Sequence, residues 1–115
     1  INFHGLWNGE GKDDSPDRIE QSRKIRAFID NKATDKVILV GDFNLNPSTK
    51  SMAILEKNMC NLVVDKGITS TRSHLYKWPN KLGDYVIVSK DLRVKNFEVL
   101  QDVVSDHLPL LLEFN

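Results

Sequence analysis

Val37-Ile38-Leu39-Val40-Gly41-Asp42-Phe43-Asn44 is the stretch from which the fold is read. Four apolar residues, three of them β-branched, form a run too short for a helix, and Gly41-Asp42 stops it, which predicts a fully buried strand. Upstream, Ser15-Pro16 opens a helix: the serine offers an oxygen to an orphan amide, and proline fits the first helical position. Ile19, Ile25, Phe28 and Ile29 recur near helical spacing, and Arg18, Glu20, Arg23, Lys24 and Asp30 read as solvated charges, so one amphipathic helix is predicted to end near Lys32.

Downstream, Asn46-Pro47-Ser48 introduces a second, shorter helix carrying Met52, Ile54 and Leu55, with Ser48 as the expected cap. Strands are expected over Ile68 to Arg72, Asp84 to Val88, Val94 to Leu100 and Leu108 to Phe114, each short, alternating or β-branched, and bounded by turn residues. The resulting order of strand, helix, strand, helix and further strands predicts an α/β architecture, one mainly antiparallel or mixed sheet with helices packed on it.

The chain has 115 residues, with 16 Lys+Arg against 16 Asp+Glu, which limits it to one globular domain and excludes a charge-driven disordered class. No apolar run approaches the ~20 residues a membrane-spanning helix requires. The single cysteine, Cys60, allows neither an internal disulfide nor a cysteine-only zinc site, and fits a reducing, cytoplasmic setting. Ile1-Asn2-Phe3-His4 lacks an initiating Met and alternates like a strand, so the numbering is expected to begin inside a longer protein.

Three short motifs carry chemistry-bearing side chains. Asp42 and Asn44 follow the buried strand at its carboxyl end, where α/β sheets place ligand-binding groups, and a carboxylate with an amide suits a hard cation or a water. Gly83-Asp84-Tyr85-Val86-Ile87-Val88-Ser89 begins a strand with a carboxylate of the type that orients an imidazole. Ser105-Asp106-His107 sets an acid beside a side chain that titrates near neutrality, although neighbours on an extended segment point to opposite sides. Each motif read alone is also an ordinary turn.

In content and order the three motifs resemble the endonuclease/exonuclease/phosphatase superfamily, the group that includes deoxyribonucleases, abasic-site endonucleases, inositol-polyphosphate phosphatases and sphingomyelinases. Gly41-Asp42-Phe43-Asn44 is similar to its GDFN motif, Asp84-Tyr85 to its Asp-Tyr-hydrophobic strand and Ser105-Asp106-His107 to its SDH motif. Asn2-Phe3-His4 is similar to the strand that carries a second histidine in the deoxyribonuclease-like branch. The resemblance implies a four-layered α/β sandwich, of which residues 1–115 would be the C-terminal portion, its N-terminal portion lying outside the chain. It also implies metal-dependent hydrolysis of a phosphoester, by a phosphodiesterase or nuclease that uses Mg²⁺ or Mn²⁺.

By the same resemblance, Asp42 would bind or deprotonate the attacking water and Asn44 would orient it. His107 would contact phosphate or take a proton, Asp84 would set its tautomer, Asp106 would join Asp42 at the metal, and His4 would protonate the leaving group. A phosphatase or phospholipase of the same fold and a non-catalytic binding module are the alternatives. The missing half of the domain, or a second copy, is the expected protein partner.

Lys66 to Gly83 contains Lys66, Arg72, Lys77 and Lys81 but no Asp or Glu. This local positive charge predicts phosphate binding by Arg72 and Lys77, with Tyr76 or Trp78 able to stack on a base of a nucleic-acid substrate. Trp7 is expected in the core or in a pocket wall, and Met52 and Met59 in packing. His74 receives no role.

Overall fold

The computed structural model describes residues 1–32 and 36–115. Its elements are α1 (Pro16–Lys32), β1 (Ile38–Asp42), α2 (Lys50–Leu55), β2 (Met59–Asn61), α3 (Leu62–Asp65), β3 (Asp84–Ser89), β4 (Val94–Val99) and β5 (Leu110–Phe114). The strands form two antiparallel sheets, one of three strands in the order β1-β3-β2 and a separate β4-β5 pair. The sequence had led to one sheet. Ile1–Gly5 adds a parallel edge to β1: the Phe3 and Gly5 amides donate to the Val40 and Asp42 carbonyls at 3.1 and 2.7 Å. Gly41 permits this approach, because a Cβ there would run into the Phe3 carbonyl.

β3 is the centre of the fold. Asp84 through Val88 are all buried, and β1 and β2 pair on its two sides. A strand buried along its whole length reads as a continuous apolar run, as Tyr85-Val86-Ile87-Val88 does. β1, expected to be fully buried, keeps only Leu39 inside. The core joins Leu39 and β3 to Ile29 of α1, Met52 and Leu55 of α2, Val63 of α3 and Phe97 of β4.

Ser15 starts α1 as expected, its Oγ accepting from the Arg18 amide at 3.2 Å. The inward face differs from the expected one: Phe28 is exposed, and the buried stripe is Arg18, Ser22 and Ile29, with Ile25 half-buried. Arg18 is 2% exposed because its guanidinium donates to the carbonyls of Leu6, Gly11 and Asp13 at 3.0, 2.7 and 2.7 Å, which satisfies a charge that helical periodicity assigns to solvent. The cap of α2 is Thr49 rather than Ser48, and its Oγ1 accepts from the Met52 amide. Asp14 reinforces that end, accepting from the Lys50 and Ser51 amides and the Ser51 hydroxyl at 2.7–2.9 Å. Burial works against the Asp14 charge, but these bonds and the Lys50 charge outweigh it and hold the carboxyl below its ordinary value.

The strand expected over Ile68 to Arg72 does not form. One bridge remains, Arg72 opposite His107. The Ser70 hydroxyl bonds the Arg72 amide and carbonyl at 3.1 and 3.2 Å, a local alternative that competes with ladder pairing. β2 and α3 have no counterpart in the sequence reading, because three- and four-residue elements are too short to show a period. No helix among the described residues is long and apolar enough to cross a membrane.

Candidate active site

Asp42 ends β1 and Asp84 begins β3, and the antiparallel register sets them directly opposite each other. Like charges in such a pair repel, so the arrangement needs a cation. Arg72 supplies it: Nη1 donates to Asp84 Oδ2, and Nη2 lies 3.9 Å from Asp42 Oδ2. The guanidinium is buried, and its Nε is the one buried side-chain polar atom without a partner among the described residues. It comes into place through the antiparallel bridge to His107, flanked by bonds from the Leu108 amide to the Thr71 carbonyl and from the Ser73 amide to the Asp106 carbonyl, both 2.9 Å.

Asp84 is 8% exposed and fully engaged. Besides Arg72 it accepts from the Thr71 hydroxyl at 2.7 Å, and its Oδ1 lies 3.0 Å from His107 Nδ1. Arg72 Nη1 is also 2.6 Å from that nitrogen. Nδ1 cannot both donate to Asp84 and accept from Arg72. Donation to the carboxylate satisfies all three groups, because Asp84 is then the common acceptor of two donors. In this tautomer Nε2 is the free ring position, and it lies 4.0 Å from Asp42 Oδ2.

Asp42 stands differently. Its Oδ1 accepts from the Asn44 amide at 3.0 Å, closing an Asx turn. Oδ2 faces His4 Nε2, Arg72 Nη2 and His107 Nε2 at 3.9–4.0 Å without a hydrogen bond to any of them. Asn44 adopts φ 52°, a left-handed conformation that asparagine tolerates, so Phe43 turns into the core while Asp42 and Asn44 line one cavity. Asn44 Nδ2 donates to the Gly5 carbonyl at 3.0 Å, tying the turn to the first segment. Beneath it, Phe43 stacks on Phe3 with centroids 4.4 Å apart and meets Tyr85 at 5.3 Å. Burial, and then the Asp84 charge, push the Tyr85 phenol up, and its OH donates to the Leu45 carbonyl at 2.6 Å.

The cavity has a volume of about 600 Å³ and is lined by Asp42, Asn44, Arg72 and His107, by Lys12, and by Trp7, Tyr76 and Trp78. Of the residues singled out in the sequence, the fold thus brings together Asp42, Asn44, Arg72, Asp84 and His107, with the exposed His4 at the edge. Two remain apart. Asp106 is exposed and outside the cluster, in the bend that precedes the single bridge at His107. Lys77 folds back on the His74 carbonyl at 3.1 Å and does not line the cavity.

Lys12, Thr71 and Gly83 carry no signal in the sequence. Lys12 is buried, and its Nζ donates to the Leu82 and Asn80 carbonyls and lies 3.4 Å from the Tyr76 hydroxyl. A Cβ on Gly83 would lie 2.9 Å from Arg72 Nη2, 3.2 Å from Asp42 Oδ1 and 3.3 Å from Lys12 Nζ, so glycine is the residue that lets these groups converge.

Asp42, Asp84 and His107 offer ligand atoms within 4.8 Å of one another, a possible metal group. The donors are unequal. Both Asp84 oxygens are spent on accepting from Arg72, Thr71 and His107, whereas Asp42 Oδ2 has no hydrogen-bond partner. That fits a hard cation held by one carboxylate better than a three-residue cage.

The Endonuclease/Exonuclease/phosphatase family profile matches residues 7–107, and the chain belongs to that family. Among solved structures, it is similar to a mannosyl-6-phosphatase from Bacteroides thetaiotaomicron VPI-5482, at 20% identity and a TM-score of 0.75, covering 99% of this chain and 49% of that one. A family protein from Bacteroides thetaiotaomicron matches at 22% identity and a TM-score of 0.73, covering 98% and 47%. A functionally unknown conserved protein from Enterococcus faecalis V583 matches at 23% and 0.67, covering 85% and 44%. The chain therefore spans about half the length of these solved relatives, and the likeness shows the fold. No curated protein matches it.

Proposed function

We propose that this chain supplies the Asp42–Asp84–His107 half of the catalytic centre of a metal-dependent phosphoester hydrolase, the remainder coming from an N-terminal portion of the same domain. The carrying observation is the asymmetry of the two facing carboxylates: Asp84 is saturated and holds His107 Nδ1, while Asp42 Oδ2 is free and faces Nε2 of the same ring. One acid orients, and the other is open to water or a cation. Half-length coverage of the relatives supports the partial-domain reading.

In this mechanism, Asp42 Oδ2 accepts a proton from the attacking water. The water oxygen bonds to phosphorus as the ester P–O bond breaks opposite it. With Nδ1–H held on Asp84, the His107 ring donates to a phosphoryl oxygen through Nε2–H when it carries a second proton, and Arg72 and Lys12 place positive charge beside the cavity where negative charge develops. His4, exposed at the edge 3.9 Å from Asp42, is positioned to return a proton to the leaving alkoxide. The Asp42 carboxylate would also hold a divalent cation, Mg²⁺ or Mn²⁺, which when bound would supply Lewis-acid neutralisation of the phosphoryl group.

A phosphodiesterase or nuclease is the leading substrate reading, on the positive residues beside the acids. A phosphomonoesterase is the second, favoured by the activity named for the Bacteroides thetaiotaomicron phosphatase. The test is turnover by the full-length protein of plasmid DNA, abasic DNA, RNA, inositol phosphates, sphingomyelin and hexose phosphates, with Mg²⁺ and with chelator. Chelator-sensitive release of phosphate or of a cleaved ester is expected. Saturable binding without turnover of any of them would instead identify a binding module.

A further inference from the structure

Trp7 and Trp78 are the two tryptophans of the chain, 71 positions apart, and both line the cavity that holds Asp42, Arg72 and His107. They are 60% and 71% exposed. Tryptophan is a highly buried residue on average, so two open indoles at one cavity mark a surface kept for a ligand. We propose that this rim is a subsite for a ring carried by the phosphoester, so that the substrate is an organic phosphate whose flat-faced ring lies against an indole while its phosphate meets Asp42 and His107. The inference rests on the hydrolase reading and adds the class of the leaving or retained group.

The rim is held rather than floppy. Arg18 fastens the loop that carries Trp7, through the carbonyls of Leu6, Gly11 and Asp13. Lys12, in the same loop, spends its three ammonium donors on Tyr76, Asn80 and Leu82, which stitches this loop to the one bearing Trp78. No carboxylate neutralises Lys12 among the described ion pairs, so its charge adds to that of Arg72 at the cavity. Indoles carried on loops tied in this way, beside a positive floor, suit one ligand chemistry, an anionic phosphate joined to a ring. Stacking is tolerant of ring identity because it uses the π-face and not an edge.

The test uses full-length protein labelled with 5-fluorotryptophan, in Mg²⁺, with Trp7→Phe and Trp78→Phe assigning the two ¹⁹F resonances. The probes are non-hydrolysable phosphonate analogues of a nucleoside 5′-monophosphate and of a hexose 6-phosphate, with methylphosphonate as the ring-free control. At least one ring-bearing probe is expected to move both resonances, and methylphosphonate to move neither. Trp7→Ala and Trp78→Ala should weaken that probe by roughly tenfold each while leaving methylphosphonate affinity within twofold. The nucleoside and hexose arms report which ring is taken. Resonances unmoved at saturation by both ring probes, or equal weakening of methylphosphonate, would overturn the subsite while leaving chelator-sensitive turnover, and so the hydrolase reading, intact. Absence of both phosphonate binding and turnover would overturn the two together.

Discussion

In the floor beneath the cavity, Asp84 accepts from Thr71, Arg72 and His107 at once, and neither of its oxygens is left for solvent; on the rim, Trp78 lies open to water, and its neighbour Lys77, outside the lining, reaches only the His74 carbonyl. The two regions are separated by a few residues of chain. The floor is built across β1 and β3, where register dictates geometry, and a buried charge there must be satisfied or the fold loses stability. The rim is built on loops, where a side chain can change without disturbing the core. The floor is therefore suited to fixed chemistry and the rim to choice of ligand.

The contrast is tested most severely at Asp84. Asp84→Ala leaves Arg72 buried without its carboxylate, and should cost about 3–5 kcal/mol in denaturant unfolding as well as at least ~10² in turnover. A loss below about 1 kcal/mol would show that the floor is not an ionic lock. Next are Asp42→Ala and His107→Ala, which remove groups that face the cavity rather than brace the core. Turnover is expected to fall by about 10² or more with unfolding free energy nearly unchanged. Retention of turnover within a few-fold would remove both from the mechanism.

Gly83→Ala probes the convergence itself. Its methyl would press on Arg72 Nη2 at 2.9 Å, displacing the guanidinium by a fraction of an ångström and lowering turnover by about tenfold while secondary structure by circular dichroism stays the same.

A smaller, pH-dependent effect is expected at Asp14, away from the floor. Its folded carboxyl lies below its ordinary value, so the charged form contributes stability that is fully present above that value and is lost as pH falls through the lower, folded one. Asp14→Asn should thus cost about 0.5–1 kcal/mol at neutral pH, with the deficit shrinking in acid below about pH 4. A deficit constant from pH 7 to pH 2 would assign the effect to shape rather than charge. Smallest of all, Lys77→Ala should leave kcat/KM within about twofold, because its ammonium bonds the His74 carbonyl and does not line the cavity; a larger loss would restore it as a phosphate ligand.

Much of this site was legible in local sequence. The turn at Gly41-Asp42-Phe43-Asn44 is an Asx turn after an apolar run, and both features depend on residues within a few positions of one another. The same holds for the Asp84 strand and for Ser15 at the start of α1. Arg18 was misread because helical spacing sees charge but not the carbonyls of Leu6, Gly11 and Asp13 that make its burial tolerable. The strand expected at Ile68 to Arg72 failed because alternation alone cannot see the Ser70 hydroxyl competing for the backbone. Asp106 was drawn toward the metal by its motif, and the bend before His107 leaves it exposed and outside the cluster.

What the sequence determined by itself is the set of groups and the short segments that carry them: an acid closing one strand, an acid opening another, and a histidine before a third. β-branched runs, turn residues and caps act over three or four positions, and a linear reading reaches that far. Tertiary structure alone decided how those groups share their charge. Asp42 faces Asp84 because β1 and β3 pair in one register, and Arg72 lies between them because two opposed carboxylates require a cation. Lys12 is drawn under the rim by carbonyls some 70 residues away, at Asn80 and Leu82. Such assignments follow from satisfying every buried charge at once, a condition set by the whole fold and absent from any window of the chain.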